Sequence, residues 1–198
     1  MPVLDTFSGG DANPIGGLWS HNSSLESTPA QVLSGKLTGS TTDFWDAIYA
    51  ADFGPSGENY VTISTRDTSS IILRVKTNNI GPTANSYLVF ITNDGVGSGL
   101  YVGTGGVATQ LGASFDVTLG SGDKLGIEYM SGSGDLNFYT KIGAGAWTQI
   151  ATRNNTDHQN ETGKSTIESG GNVQAFDDFG SGPPAPLVGL NSLGTMFW

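Results

Sequence analysis

The sequence predicts an all-β domain built as an antiparallel β-sandwich, and three observations predict it. Apolar and polar residues alternate with period 2 in segment after segment, and no stretch much longer than about ten residues keeps a helical period. Clusters of Gly, Asn, Asp and Pro separate these segments at intervals of roughly 8–12 residues, the spacing of short strands in two packed sheets. Charged residues make up 13% of the 198-residue chain, about half of the ~25% usual in globular domains. Thirty glycines, with many Ser, Thr and Asn, take their place; such residues form helices poorly and suit turns and tightly packed strands.

The elements follow in chain order. Phe44-Trp45-Asp46-Ala47-Ile48-Tyr49-Ala50-Ala51 is apolar on both faces, so it is expected to be covered on both, by the second sheet and by a loop or another subunit. Gly54-Pro55-Ser56-Gly57 is a turn. In Tyr60–Arg66, Val61 and Ile63 face one way while Thr62, Ser64 and Arg66 face the other. Ile71, Leu73 and Val75 alternate with Arg74 and Lys76. After the turn Asn78–Pro82 comes Tyr87-Leu88-Val89-Phe90-Ile91, again apolar on both faces. Turns at Asn93–Gly95, Gly120–Asp123 and Ser131–Asp135 supply the positive φ that tight reversals require. Between them, Leu125, Ile127 and Tyr129 alternate with Gly126 and Glu128. Leu136, Phe138, Thr140 and Ile142 then alternate with Asn137, Tyr139 and Lys141.

Composition bounds the function. A net charge of −10 would repel phosphate backbones, which argues against nucleic-acid binding. The absence of cysteine excludes disulfides and thiolate metal sites. Met1-Pro2-Val3-Leu4-Asp5 has neither a basic start nor an apolar run, and nowhere do about 18 apolar residues stand together. A soluble protein made in the cytoplasm, without a secretory signal or membrane span, is therefore expected. The sequons at Asn22, Asn154 and Asn160 are then chance matches.

Residues 1–180 read as the sandwich and residues 181–198 as an appendage. Gly180-Ser181-Gly182-Pro183-Pro184-Ala185-Pro186 is a stiff linker, followed by an apolar tail with Leu187, Val188, Leu190, Leu193, Met196, Phe197 and Trp198. A tail so apolar has to dock on its own domain or on a partner, and large aromatics are the usual anchors of such contacts.

Several motifs resemble concanavalin A-like/laminin-G-like jelly rolls. Leu4-Asp5-Thr6-Phe7 followed by Pro14-Ile15-Gly16-Gly17-Leu18-Trp19 resembles the opening of such domains, and Gly122–Glu128 is similar to a strand of theirs. Trp147-Thr148-Gln149-Ile150 after a Gly turn fits as well. So does Val173–Phe179, where the last strand returns beside the first. The resemblance covers roughly residues 4–180 and places Trp19 in the core. Domains that look like this are frequent in tailed-bacteriophage virion proteins, as capsid decoration, fibre module or receptor-binding head.

Glucanases share this fold, so the carboxylates need a test. Hydrolysis needs two carboxyl groups facing each other, about 5–5.5 Å apart for retention. The five glutamates are Glu26, Glu58, Glu128, Glu161 and Glu168, and none has an acid two residues away. Asp177 and Asp178 are adjacent and would point to opposite faces of a strand. Convergence of carboxylates from separate strands is left open, but no catalytic residue is named and a non-enzyme is expected. There is no G-x-S-x-G elbow, and His21 and His158 sit in polar stretches where solvated surface histidines are expected. Gly103–Ala108 formally fits G-x-G-x-x-A but lies between strands, so it is a glycine-rich turn.

Calcium is common in jelly rolls of this class. Asn93-Asp94 and Asn154–Glu161 offer oxygens, yet no D-x-D-x-D spacing occurs, so no cofactor and no metal ligand is assigned. Trp45, Tyr49, Tyr101 and Trp147 are candidate sugar-stacking residues, each weighed against a place in the core. The leading expectation is a non-catalytic structural protein of a virus particle, a capsid decoration protein or a related virion surface component. It would contact the major capsid or tail protein and copies of itself, in a symmetric oligomer such as a trimer. The alternative is a carbohydrate-binding module for host-surface adhesion.

Overall fold

The computed structural model describes residues 3–13, 16–21, 28–78, 83–171 and 173–182. Described residues form fourteen strands and no helix. The first seven are β1 (Trp19–Ser20), β2 (Thr28–Leu33), β3 (Lys36–Gly39), β4 (Trp45–Tyr49), β5 (Gly57–Thr65), β6 (Ile71–Asn78) and β7 (Asn85–Ile91). Then follow β8 (Gly99–Thr104), β9 (Val107–Gln110), β10 (Lys124–Met130), β11 (Asp135–Lys141), β12 (Thr148–Asn154), β13 (Lys164–Ser169) and β14 (Ala175–Gly182). The tail residues Leu187, Val188, Leu190, Leu193, Met196, Phe197 and Trp198 lie outside the described residues, and β14 runs through Ser181 and Gly182.

One layer runs β12-β11-β10-β5-β14-β3, and the other β4-β13-β6-β7-β8-β9 with β1 beside β4. β2 joins them. Its Thr28 and Pro29 lie parallel to Trp45 and Asp46 of β4, and its Ala30–Leu33 pair antiparallel with β3. Pro29, which has no N–H to donate to a ladder, stands at this crossing between the two pairings. All other pairings are antiparallel, so the expected antiparallel sandwich is what the chain forms.

Alternation decides which side chains enter the core. Val61, Ile63, Leu125, Ile127, Leu136 and Phe138 of one layer meet Leu73, Val75, Val89, Ile91, Leu100 and Ile167 of the other. Phe7, Trp19, Tyr49 and Phe179 close one end as an aromatic cluster, with Trp19 and Phe179 ring centroids 4.6 Å apart. Trp19 is core, as the resemblance implied. The N-terminal segment lies beside the last strand: the amides of Leu4 and Asp5 donate to the Phe179 carbonyl, and the Phe179 amide returns to Asp5.

Two expectations need correction. His158 is 5% exposed, not solvated, because the segment after β12 packs against β6 and β8, which its local polarity conceals. Its Nε2 lies 3.0 Å from the Gly103 carbonyl oxygen and its Nδ1 3.1 Å from Glu161 Oε1. His21 bonds to the buried Asp46. In addition, β14 does not keep a regular alternation at Asp177-Asp178. A bulge follows Asp177, Asp178 takes φ +46°, and its carboxylate receives Lys124 Nζ at 2.9 Å and Thr62 Oγ1 at 3.1 Å. The Gly105–Gly106 turn has positive φ at both residues, the geometry of a tight hairpin between β8 and β9, as the glycine-rich-turn reading requires.

Candidate functional site

Register sets out the outer face of the β4–β9 layer in two rows. One reads Asp46, Glu168, Ile72, Phe90, Gly99; the other reads Ile48, Thr166, Arg74, Leu88, Tyr101, Gln110. Each residue is the direct cross-strand neighbour of the next, so these side chains stand side by side. At the β6–β9 end they line a groove of about 230 Å³ formed by Ile72, Arg74, Leu88, Phe90, Tyr101 and Ala108.

The groove is an aromatic corner. Phe90 and Tyr101 are half-buried, and their rings stand perpendicular (89°) with centroids 6.5 Å apart. Gly99 leaves room for the corner. A Cβ there would lie 3.0 Å from the Tyr101 ring and 3.1 Å from Gln110 Nε2, so any side chain would press the ring or the amide aside by a few tenths of an ångström. Arg74 supplies the polar group. Its Nε and Nη2 engage both carboxylate oxygens of the fully buried Glu168 (Nη2 at 2.9 Å), and Nη1 lies 3.3 Å from Ser86 Oγ. A two-point bond of this kind fixes the plane of the guanidinium. Beyond Glu168 the row continues to buried Asp46, which bonds to His21. Sugars bind in such arrangements, with a C–H face on an aromatic ring and hydroxyls on fixed polar groups.

Of the four aromatics singled out in the sequence, Tyr101 stands in the groove. Trp45 is fully buried with its Nε1 on the Gly171 carbonyl at 2.9 Å, and Tyr49 packs in the aromatic cluster; both belong to the core. Trp147 lies on the opposite outer face, half-buried, its ring edge-on to Tyr60 with centroids 6.0 Å apart. The structure does not bring these four residues together.

Sequence spacing missed Phe90, Arg74 and Glu168. A signal existed: Phe90 holds an outward position in β7, in a segment flagged as apolar on both faces. Among the described residues no further layer covers it, and it lines the groove. Spacing also concealed that carboxylates meet across strands, Asp46 beside Glu168 and Glu58 beside Glu128. All four are buried. Asp46 and Glu168 are tied to His21 and Arg74, while Glu128 Oε2 accepts from Asn137 Nδ2 and the Tyr139 hydroxyl, both at 3.0 Å. Asp46, Glu128 and Glu168 are thus each engaged by neighbouring side chains.

The loops considered for calcium hold their own partners. The Lys76 ammonium takes the carbonyl oxygens of His158 and Gln159, and the described residues contain no group of three or more His, Cys, Asp or Glu placed to hold a metal ion. A second hollow of about 280 Å³ lies beside Trp19. Its carboxylate, Asp5, is consumed by Trp19 Nε1 at 2.8 Å and the Phe7 amide at 2.7 Å.

No sequence-family model and no curated protein sequence matches the chain. Solved structures do. The carbohydrate-binding module CBM66 from Bacillus subtilis superposes with a TM-score of 0.60 at 11% identity, over 83% of this chain and 94% of that one. A legume lectin-like domain from Entamoeba histolytica gives 0.57 at 12% identity, over 93% and 99%. A prokaryotic β-1,3-1,4-glucanase (lichenase) derived from a mouse hindgut metagenome gives 0.58 at 11%, over 91% and 98%. At such identities the likeness establishes architecture alone: the chain has the concanavalin A-like jelly-roll fold.

Proposed function

We propose that this protein is a non-catalytic glycan-binding domain whose ligand lies in the groove on the outer face of β6–β9. The observation that carries the reading is the perpendicular pair Phe90 and Tyr101 beside a guanidinium whose orientation Glu168 fixes. The neighbours support it, since a carbohydrate-binding module and a lectin-like domain are among them. The test is affinity electrophoresis or calorimetry against a polysaccharide panel. The wild-type chain should bind saturably, and Tyr101→Ala should bind at least roughly tenfold more weakly while keeping its melting temperature. Equal binding by both would overturn the placement of the site.

The virion-surface role expected from the sequence is the second reading, with partners among capsid or tail proteins and copies of the chain itself. It rests on the apolar residues 187–198 and on the phage resemblance. A chain ending at Gly182 should stay folded and lose assembly; full assembly by the truncated chain would overturn it.

A further inference from the structure

We infer that the groove accepts uncharged saccharides and rejects anionic ones, an inference that rests on the glycan reading above and narrows its ligand class. Cations are scarce in this chain, and most are already engaged. The sequence has eight basic residues against 18 acidic ones. Six of the eight are engaged inside the fold. Arg66 donates to the carbonyl oxygens of Ser69, Thr92 and Asn93 and to the Gln174 side chain. Arg153 spans the carbonyls of Leu111 and Ala113. Lys76, 2% exposed, holds the carbonyls of His158 and Gln159. Lys124 pairs with Asp178 at 2.9 Å and Lys164 with Asp52 at 3.0 Å.

The sixth is Arg74, the cation of the groove itself, matched by both oxygens of Glu168 with Asp46 next in the row. The two that remain, Lys36 in β3 and Lys141 in β11, belong to the opposite layer. The groove's own positive charge is thus already matched, under a net charge of −10.

A carboxylate or sulfate entering this groove would shed water without gaining an unmatched cation, and an anion desolvated without a partner is disfavoured. The field of the whole chain opposes its approach as well. A neutral ring meets neither obstacle. Its C–H face lies on Tyr101 or Phe90, and its hydroxyls can share the guanidinium, because hydroxyls bond to a paired cation without adding charge.

The experiment is an array carrying each neutral oligosaccharide beside its uronate-, sialate- or sulfate-bearing counterpart, probed with the full chain. It is read from about 20 mM to about 500 mM NaCl, over which the Debye length falls from roughly 20 Å to roughly 4 Å. We expect neutral ligands to bind with little salt dependence and their acidic counterparts roughly tenfold or more weakly at low salt. Ala108→Lys, which places a new cation on the exposed rim, should raise binding of the acidic series at low salt. Preferential binding of acidic glycans by the wild-type chain would overturn the inference and leave the glycan reading standing. So would no gain by Ala108→Lys. No binding anywhere on the array would overturn the glycan reading, and the inference with it.

Discussion

The Lys76 ammonium lies 4.3 Å from the centre of the Tyr129 ring and 5.6 Å from that of Tyr87, and those two rings stack 4.1 Å apart. Lys76 also has φ +57°, at an irregularity of β6 against both its neighbours. An ammonium over an aromatic face and two carbonyl oxygens does the work that a bound cation does in other loops, tying the segment after β12 to the body of the sandwich.

This arrangement predicts an alkaline signature. Burial brings the Lys76 ammonium down from 10.5 to about 8, with Glu161 opposing that shift. The unfolded chain therefore holds more protons than the folded one between about pH 8 and pH 10.5, so this group's contribution to stability rises with pH in that window. Urea unfolding should show the stability of wild type relative to Lys76→Met increasing from pH 8 to pH 10. A constant difference would refute the linkage.

Above that window the tyrosines act in the opposite sense. Burial pushes Tyr60 up to about 12, helped by Glu58 and Asp178, and it raises Tyr87, Tyr129 and Tyr139 as well. A raised folded pKa gives stability that is fully present below pH 10 and lost as pH climbs through the folded value. Tyrosinate absorbance should thus appear together with loss of near-ultraviolet circular dichroism above about pH 10. Ionisation of Tyr60, Tyr87, Tyr129 and Tyr139 before unfolding would contradict it.

Glycine at position 39 is required by Trp45. A Cβ there would overlap the indole ring and lie 2.7 Å from the Gly171 carbonyl oxygen, which is also the indole's acceptor. Gly39→Ala should lower stability by about 1–3 kcal/mol through overpacking, and Trp45→Ala by about 3–5 kcal/mol through the cavity it leaves. Denaturant midpoints measure both; an unchanged midpoint for either would place Trp45 outside the core.

Gly99 predicts a separation of binding from stability. Gly99→Ala has to displace the Tyr101 ring or the Gln110 amide, both at the half-exposed outer face, so its stability cost should stay below about 1.5 kcal/mol. Its glycan affinity should fall too, by less than that of Tyr101→Ala, because the ring is shifted and not removed. Calorimetry on both variants decides; full affinity in Gly99→Ala would mean that the Tyr101 ring does not need its place across β8.

The sequence by itself determined the class of the fold and the inward face of most strands. Alternation is a local property: Val61 and Ile63 must share a face whatever the strand pairs with, and Gly105-Gly106 must turn wherever it lies. Legibility ended where position depends on register between distant segments. Asp46 and Glu168 stand 122 residues apart in sequence and side by side in the sheet, and Arg74 meets Glu168 across a further strand. His158 reads as polar surface until β6 and β8 enclose it. Tyr101 and Phe90 could be named as aromatics, but only the pairing of β7 with β8 turns them into a corner. Strand order is fixed by the summed burial of the whole core rather than by any segment's own pattern, so the tertiary structure alone decided the groove and its matched cation.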